Sequence, residues 1–325
     1  MATKGSVPKV LRRLVLLSLP VLAAAVACTP APNPSAAPSS AASGIKSGSG
    51  SVASPGTSSS STAAPGRPVH VSLLESDGGR YGVGMPIIAW FNVAPTDATA
   101  FAAATAVKAN GHAVEGAWYF EPTARAGSAV EGHYRPKTFW PAHSSIEMQL
   151  PVKGLSAGKG LVYDDSLSLS MSTGAAKIST VNAASLRMTV RTDNRIYGVF
   201  PVSLGAPNTR TLRGTKVIME KGADISMRGP GYFDPHVQWT QRLTYGGEYL
   251  HSAPWNVANI GSRSTSNGCT NLLPADAKQL FGYLGIGDVV QYPDADGNEM
   301  QLGQGYGDWN LPWSRWLTGG AIRTH

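Results

Sequence analysis

Cysteine is almost absent from this chain, because its 325 residues include only Cys28 and Cys269. So few cysteines exclude a disulfide-rich scaffold. No group of His, Cys and Asp residues has the spacing of a metal site either, so we predict no metal and no other cofactor. Cys269 is then a lone thiol without a disulfide partner, which in an exported protein is typical of a catalytic cysteine.

The N-terminal apolar run is short. Residues 14–27 fall below the roughly 20 apolar residues that a membrane-spanning helix needs, and four cations precede them, as in an export signal. The small residues before Cys28 resemble the bacterial lipobox, although Ala25 stands where Leu is usual. We therefore predict a lipoprotein signal peptide at residues 1–28, with Cys28 lipidated. An ordinary signal peptide with an incidental Cys28 is the alternative.

Positive charge is in small excess. The formal net charge is +7, but four of the 27 cations lie in the predicted signal peptide, which leaves 23 cations against 20 acidic residues. This surplus is too small to indicate nucleic-acid binding. Residues 29–66 consist almost entirely of Ser, Ala, Pro, Gly and Thr, which bury too little to offset the entropy of ordering. We predict a flexible tether, on the order of 35 Å in root-mean-square length.

Residues 67–174 show short alternating or apolar segments separated by turn residues, the pattern of a β-sandwich. Residues 96–107 are the one plausible helix of this region, and their threonines make it weak. His112, His133 and His143 stand apart from other ligand-type residues, so we interpret them as surface or hydrogen-bonded histidines rather than metal ligands.

Residues 175–293 are predicted to form a second, mostly β body. Residues 185–190 and 195–200 are strand candidates whose spacing suits a hairpin. Residues 273–284 fit a short helix that begins with Pro274 at its first position. Residues 294–325 contain three tryptophans within eight positions, and we predict a tail packed on this second body rather than a stacking surface for nucleic acid.

His251 and Cys269 have the residue types of a nucleophile and its base. A free thiol is mostly protonated at neutral pH, so a nearby imidazole is needed to accept its proton and return it to the leaving group. Gly268 allows the backbone to approach a substrate closely, and backbone N–H groups beside the nucleophile can stabilise an oxyanion. An inert, buried Cys269 remains the alternative on these residues alone.

Residues 251–255 (HSAPW) and 266–271 (SNGCTN) resemble the signature of the YkuD family of L,D-transpeptidases, in which a His is followed, after a spacer, by Ser/Thr-His-Gly-Cys-x-Asn/Arg. The chain is most similar to the mycobacterial type, and the resemblance extends over roughly residues 67–320. It implies an immunoglobulin-like β-sandwich, a β-rich catalytic domain with one or two short helices, and a C-terminal tail subdomain.

The resemblance also implies residue roles. Cys269 matches the acylated nucleophile, His251 the general base, and the backbone carbonyl of Ser252 the group that orients the imidazole. Gly268 matches the residue of close backbone approach at the oxyanion. Six further residues are expected at the substrate site or on its lid: Met219, Tyr232, Trp255, Ser266, Asn267 and Asn271.

Asn267 departs from the family pattern, because the signature has a His before Gly-Cys. An amide keeps a hydrogen bond but does not titrate near neutral pH. We expect the replacement to be tolerated if that His only supports geometry. If it tunes the pKa of the nucleophile, the pH profile of this protein will differ.

The function implied is that of an extracytoplasmic, lipid-anchored enzyme that cross-links peptidoglycan. Cys269 would cleave the bond to the terminal D-Ala of a donor tetrapeptide, and a diaminopimelate amine of a second stem would resolve the thioester, giving a 3→3 cross-link. Carbapenems are expected to acylate Cys269. The alternatives are a wall-binding lipoprotein with a decayed site, and a cysteine L,D-carboxypeptidase or hydrolase that acts on stem peptides.

Overall fold

The computed structural model describes residues 66–229 and 232–325. The predicted signal peptide, the lipidation site at Cys28 and all but the last residue of the predicted tether lie outside the described residues. Within the described ranges, no helix is both long enough and apolar enough to cross a bilayer. The protein is mainly β, as predicted.

The first domain is a sandwich of a four-stranded and a five-stranded sheet that share one apolar core. Strand β9 shows why, because Ile146, Met148 and Leu150 are buried and alternate with exposed residues. The elements are β1 Arg67–Val69, β2 Val71–Leu73, β3 Gly79–Tyr81, β4 Ile87–Phe91, α1 Thr99–Ala104, β5 Ala106–Ala109, β6 His112–Ala113, β7 Gly116–Glu121, β8 Val130–Pro136, β9 Ser145–Leu150, β10 Leu161–Tyr163 and β11 Leu167–Thr173.

The predicted helix within residues 96–107 is confirmed, but it is shorter than predicted. Helix α1 has six residues, because Thr105 is extended and the chain continues directly into β5, which pairs with β9. Pairing along a sheet edge outweighs the weak helix propensity of a segment rich in threonine. The sheets are ordered β2-β4-β8-β7 and β3-β11-β9-β5-β6, and β1 pairs with β10.

The second domain is built on a nine-stranded sheet in the order β15-β20-β12-β13-β14-β19-β18-β17-β16. Its elements are β12 Lys177–Asn182, β13 Arg187–Thr192, β14 Arg195–Ser203, β15 Gly214–Val217, β16 Glu220–Gly229, β17 Tyr232–Arg242, β18 Tyr249–Ser252, β19 Thr270–Leu272, α2 Pro274–Tyr283 and β20 Val289–Tyr292.

Two local signals in this domain are confirmed. Asp193 and Asn194 both have positive φ, 47° and 66°, which closes the β13–β14 hairpin with the tight turn that such residues favour. Helix α2 begins with Pro274 in its first turn, and it buries Ala277 and Leu280 in the core of the second domain. It packs against β17 and against β18, the strand that carries His251.

The tail after residue 293 contains two short elements, a 3-10 helix at Asp308–Asn310 and helix α3 at Trp313–Trp316. Its tryptophans contact the first domain, whereas the sequence predicted packing on the second. The Trp309 indole donates to the Gly84 carbonyl at 2.9 Å, and the Trp316 indole donates to the Ala117 carbonyl at 2.9 Å. The second domain also receives part of the tail, since the Asn310 side chain hydrogen-bonds to the Thr215 backbone.

Arg135 explains why the tail lies there. Its guanidinium carbon is 4.9, 5.2 and 4.4 Å from the ring centroids of Trp309, Trp313 and Trp316, and it donates to the Leu311 carbonyl at 2.8 Å. A buried guanidinium needs aromatic faces and carbonyl acceptors in place of water. The three tryptophans provide that environment on the outer face of β8.

Candidate active site

Strands β18 and β19 are neighbours in the sheet, and they bring together the two sequence motifs at residues 251–255 and 266–271. They pair in parallel, with Leu250 opposite Thr270, His251 opposite Asn271 and Ser252 opposite Leu272. Cys269 immediately precedes β19, and His251 lies near the end of β18. Both residues line the same pocket. The 17 residues between His251 and Cys269 thus fold back so that the thiol and the imidazole line one cavity.

The His251 ring is fixed by its own neighbour in sequence. Its Nδ1 lies 2.8 Å from the Ser252 carbonyl oxygen, which can only accept, so Nδ1 carries a proton. In the neutral ring, Nε2 then offers a lone pair. Burial lowers the pKa of His251, while the Ser252 carbonyl and the lid carboxylate of Asp234 raise it by less. The imidazole is consequently uncharged at neutral pH, as a general base requires.

Cys269 is a buried thiol that donates to the Gly247 carbonyl, with an Sγ···O distance of 3.4 Å. Burial is the largest effect on the thiol and raises the pKa of Cys269 to about 12. Three smaller effects act on the same pKa. The backbone of Tyr249 and the Lys216 ammonium lower it, and the Glu248 carboxylate raises it. The resting pair is therefore a neutral thiol beside a neutral imidazole. If Cys269 attacks a substrate, its proton would therefore have to be transferred during the attack rather than before it.

The loop that presents Cys269 is tied into a fixed shape. The Ser266 hydroxyl donates to the Cys269 carbonyl at 2.5 Å and accepts from the Gly268 N–H at 3.2 Å. Thr211 donates to the Gly268 carbonyl at 2.8 Å. Gly268 has φ of +109°, a conformation that L side chains rarely adopt, so glycine is required there. In this structure the Gly268 N–H donates to the Ser266 hydroxyl within the loop.

The cavity above Cys269 has a volume of about 360 Å³ and is covered by the lid hairpin formed by β16 and β17. It contains five of the six residues that the sequence placed at the substrate site. These are Tyr232, Trp255, Ser266, Asn267 and Asn271. The Trp255 ring lies roughly parallel to the His251 ring, with centroids 5.8 Å apart.

Met219 is not at this cavity, so the structure does not bring it to the predicted site. It lies between β15 and β16 at the base of the lid, where its backbone N–H bonds to Arg242 and its sulfur lies near Gly305. Met227, near the lid tip, lines the cavity instead. The lid hairpin places two apolar residues eight positions apart at its two ends, and sequence spacing alone could not decide between them.

Two further openings reach the nucleophile loop. One, of about 660 Å³, is lined by Gly246, Gly247 and Gly268; the other, of about 480 Å³, is lined by Arg228 and Arg242 among others. Asn267 lines both openings as well as the cavity above Cys269. The loop can therefore be approached from more than one direction, which suits a reaction with two substrates.

A buried ion pair supports the loop from below, and the sequence analysis missed it. Lys216 on β15 bonds to Glu248, and its ammonium lies 4.0 Å from the centroid of the Tyr292 ring. Glu248 also accepts from the Leu212 N–H at 2.7 Å. Burial lowers the pKa of Lys216, and Glu248 opposes that shift. The partners are 32 positions apart and belong to no motif, so no sequence signal points to them.

Comparison with known proteins gives two domain matches. The model of the L,D-transpeptidase catalytic domain (YkuD) matches residues 176–291, and that of a bacterial Ig domain matches residues 39–156. The chain is 28% identical to L,D-transpeptidase 2 of Mycobacterium tuberculosis over 78% of its length, and 29% identical to L,D-transpeptidase 5 of the same species over 80%. These matches cover 64% and 58% of the two relatives, so the chain spans less than two thirds of either.

Solved structures of L,D-transpeptidases also superpose on this chain. An L,D-transpeptidase from Mycobacterium smegmatis superposes with a TM-score of 0.56 at 26% identity, covering 70% of this chain and 100% of that one. The L,D-transpeptidase LdtMt1 in complex with imipenem superposes with a TM-score of 0.56 at 25% identity, covering 68% and 97%. The predicted resemblance and the predicted two-domain β architecture are confirmed by these matches.

Proposed function

We propose that this chain, whose residues 176–291 match the L,D-transpeptidase catalytic domain (YkuD) and whose residues 39–156 match a bacterial Ig domain, is a peptidoglycan L,D-transpeptidase that forms 3→3 cross-links. The observation that carries the proposal is the shared cavity of Cys269 and His251, in which the Ser252 carbonyl fixes the imidazole with Nε2 free to accept a proton. Nucleophile, base and orienting group are the three parts of an acyl-transfer site.

In the first half-reaction, Cys269 attacks the carbonyl between the third residue and the terminal D-Ala of a donor tetrapeptide. His251 Nε2 takes the thiol proton as the S–C bond forms. The tetrahedral intermediate collapses, the C–N bond breaks, and the imidazolium returns the proton to the amine of the departing D-Ala. A thioester remains on Cys269.

In the second half-reaction, the side-chain amine of a diaminopimelate on another stem attacks the thioester. His251 again accepts a proton, now from the amine, and returns it to the sulfur as the C–S bond breaks. The openings that meet at Asn267 provide separate approaches for the donor and the acceptor. Water in place of the amine would give carboxypeptidase activity.

Carbapenems are proposed to acylate the same thiol. A relative of similar fold has been solved in complex with imipenem, and another with a faropenem-derived adduct. A strained lactam carbonyl that enters the cavity above Cys269 would meet the same nucleophile and base as the donor peptide. Ring opening would leave a stable acyl-enzyme.

We also propose that the protein works outside the cytoplasm, anchored through a lipid on Cys28 and facing the cell wall. The sequence before Cys28 and the composition of residues 29–66 support this location. Intact-mass and peptide analysis of the mature protein from its own cells is the test. An N-terminal, lipid-modified Cys28 is expected, and an unmodified N-terminus at another residue would contradict the anchor.

Product analysis tests the activity. Full-length protein is incubated with a disaccharide-tetrapeptide, and products are separated by chromatography and identified by mass spectrometry. We expect free D-Ala together with a dimer linked between the two third residues, and neither from Cys269→Ala. Tripeptide without dimer would assign the protein as a carboxypeptidase instead. If the folded protein gives no reaction but still binds peptidoglycan, it would be assigned as a wall-binding protein instead.

A further inference from the structure

A buried histidine and three carboxylates meet on the outer face of the four-stranded sheet, far in sequence from the catalytic motifs. Glu131 and His133 are two positions apart on β8, so they share one face of the strand. Glu121 on β7 lies directly opposite Glu131 in the antiparallel pair. Asp308 comes from the tail, which covers this face. All four side chains are buried.

Burying several carboxylates together destabilises the folded protein unless a bound cation or proton compensates their negative charge. Two carboxylates directly opposite each other on neighbouring strands repel, and burial strengthens the repulsion. Within the described residues, neither Glu121 side-chain oxygen has a hydrogen-bond partner, and His133 Nε2 has none. His133 is 1% exposed and Glu121 is 4% exposed, so water does not satisfy these atoms at the surface.

Two of the atoms without a hydrogen-bond partner, His133 Nε2 and Glu121 Oε1, lie close to each other and to Glu131 Oε1. His133 Nε2 lies 3.4 Å from Glu131 Oε1 and 3.8 Å from Glu121 Oε1. One ligand atom from each of the three residues lies within 4.8 Å of the others. Ligands at 2.0–2.2 Å from a tetrahedral Zn²⁺ lie about 3.3–3.6 Å apart, so small side-chain shifts suffice to close the three atoms around an ion.

The surrounding groups orient these three side chains. Asp308 lies 3.0 Å from His133 Nδ1, the carboxylate–histidine contact that directs the other ring nitrogen toward a metal. The Trp90 indole and the Thr123 hydroxyl both donate to Glu131 Oε2, at 3.1 and 2.6 Å. Glu131 Oε1 is thereby the oxygen left to face His133.

A surface pocket of about 450 Å³ lies beside the cluster and is lined by Glu121, Thr123, Leu302 and Gly303 among others. Because both Glu121 carboxylate oxygens are buried, a side-chain shift is needed for an ion and a coordinating water to enter from this pocket. The tail residues at the rim belong to the same segment that supplies Asp308.

We propose that Glu121, Glu131 and His133 form a binding site for a divalent transition-metal ion of the Zn²⁺ class, with a water as the fourth ligand and Asp308 as the carboxylate that orients His133. One imidazole and two carboxylates suit this class better than Ca²⁺ or Mg²⁺, which favour all-oxygen sets. The ion would neutralise the opposed carboxylates and fasten the tail to the first domain. The sequence analysis predicted no metal, because the ligands come from two strands with unremarkable spacing.

The alternative to a metal ion at this site is a proton on His133. Burial by itself lowers the pKa of His133, but Asp308, Glu131 and Glu121 together raise it well above the ordinary value. In the absence of an ion, His133 is then an imidazolium between carboxylates. The two occupants predict opposite results in a metal-binding experiment.

The test uses untagged full-length protein carrying Cys269→Ala, which removes the thiol of the active site as a competing ligand. The protein is stripped with a chelator, given one equivalent of Zn²⁺ and desalted, and bound metal is counted by inductively coupled plasma mass spectrometry. Affinity is measured by competition with a chromophoric chelator. Glu121→Gln keeps the shape of the side chain, and Glu147→Gln, an exposed glutamate of the same domain, is the matched control.

We expect one Zn²⁺ per chain, retained by Glu147→Gln, and an affinity lower by about 100-fold or more in Glu121→Gln. Zinc-edge absorption spectroscopy of the bound ion should show nitrogen and oxygen ligands with a single imidazole. No retained zinc in the folded parent, equal affinity in Glu121→Gln, or more than one imidazole would overturn the proposal. The cluster would then be a proton-bearing contact between the sheet and the tail.

Discussion

At the scale of single residues, the proposed nucleophile and base are both uncharged, and a backbone contact holds the His251 ring. The Ser252 carbonyl sets the tautomer of His251, and burial keeps both His251 and Cys269 uncharged. A preformed thiolate–imidazolium pair would need a stabilising charge beside the sulfur. The Lys216 ammonium lowers the pKa of Cys269, but the Glu248 carboxylate raises it by at least as much.

Ser266 is predicted to control the nucleophile loop. Ser266→Ala removes the donor to the Cys269 carbonyl and leaves the Gly268 N–H without its acceptor, at a cost of about 1–3 kcal/mol. We expect the rate of carbapenem acylation to fall by about tenfold or more, with little change in fold by circular dichroism. Ser264→Ala is the matched control in the same loop. An equal rate for Ser266→Ala and the wild type would show that the loop does not depend on this hydroxyl.

Asn267 is predicted to have a small role despite its departure from the family signature. Its side chain is exposed, and no hydrogen bond to it is found among the described residues. Asn267→Ala should change the acylation rate by no more than about threefold. Asn267→His should leave the pH dependence of that rate unchanged. A new ionisation in the His variant would show that this position does tune the thiol.

The residues that sequence reasoning found are those of a short local motif. His251, Ser252, Ser266, Gly268 and Cys269 lie in the two short segments, residues 251–255 and 266–271, on which the resemblance was based. Residues brought in by tertiary packing were missed, namely Met227 and Asp234 on the lid and the Lys216–Glu248 pair under the loop. Their partners are tens of positions away, and no residue pattern connects them.

At the scale of elements, the lid hairpin carries a carboxylate, Asp234, that acts electrostatically on His251. Strands β16 and β17 pair over most of their length, with an irregularity between Ile225 and Met227. The lid brings Asp234 to the cavity wall, where its carboxylate raises the pKa of His251. The hairpin thus covers the cavity and also places a negative charge near His251.

Asp234→Asn tests that contribution. Removing the carboxylate lowers the pKa of His251 further, and the base is active when neutral, so the acidic limb of the acylation rate should move to lower pH. The rate between pH 4 and pH 9 is measured with a carbapenem. Asp224→Asn, an exposed carboxylate on the same hairpin, should leave the limb in place. A shift toward higher pH in Asp234→Asn would refute the link.

Element prediction succeeded where side-chain periodicity is strong. The alternation in β9, the turn residues of the β13–β14 hairpin and the Pro274 start of α2 each have a local physical cause. For α1 the helix is confirmed but its length was overestimated, because its propensity is weak and β9 offers an edge on which the following residues pair.

At the scale of the whole molecule, the tail links the two domains more closely than the sequence suggested. Its three tryptophans surround Arg135 on β8, while Asn310 binds to β15 and Gln304 binds to the Tyr245 backbone. Backbone contacts between Gly82 and Ile286, and between Gly84 and Gly287, join the domains directly. An aromatic-rich tail can pack on any surface with a suitable cation, and sequence alone does not say which arginine that is.

Arg135 is predicted to dominate the tail contact. Arg135→Ala removes the cation from the three indoles and its hydrogen bond to Leu311, and we expect a loss of about 3 kcal/mol or more in the free energy of unfolding. Arg125→Ala is the matched control, because Arg125 lies 3.6 Å from the centroid of the Trp90 ring but is exposed, and it should cost less than about 1 kcal/mol. Urea unfolding of the full chain measures both. Similar losses for the two variants would contradict the burial argument.

Acylation of Cys269 is the most direct test of the whole account. Full-length protein is mixed with imipenem and followed by intact-mass spectrometry, beside Cys269→Ala, His251→Ala and the exposed-histidine control His236→Ala. We predict one adduct per chain in the wild type and in His236→Ala, none in Cys269→Ala, and a rate reduced by about 100-fold or more in His251→Ala. An adduct on Cys269→Ala, or none on the folded wild-type protein, would contradict the assignment of Cys269 as the nucleophile.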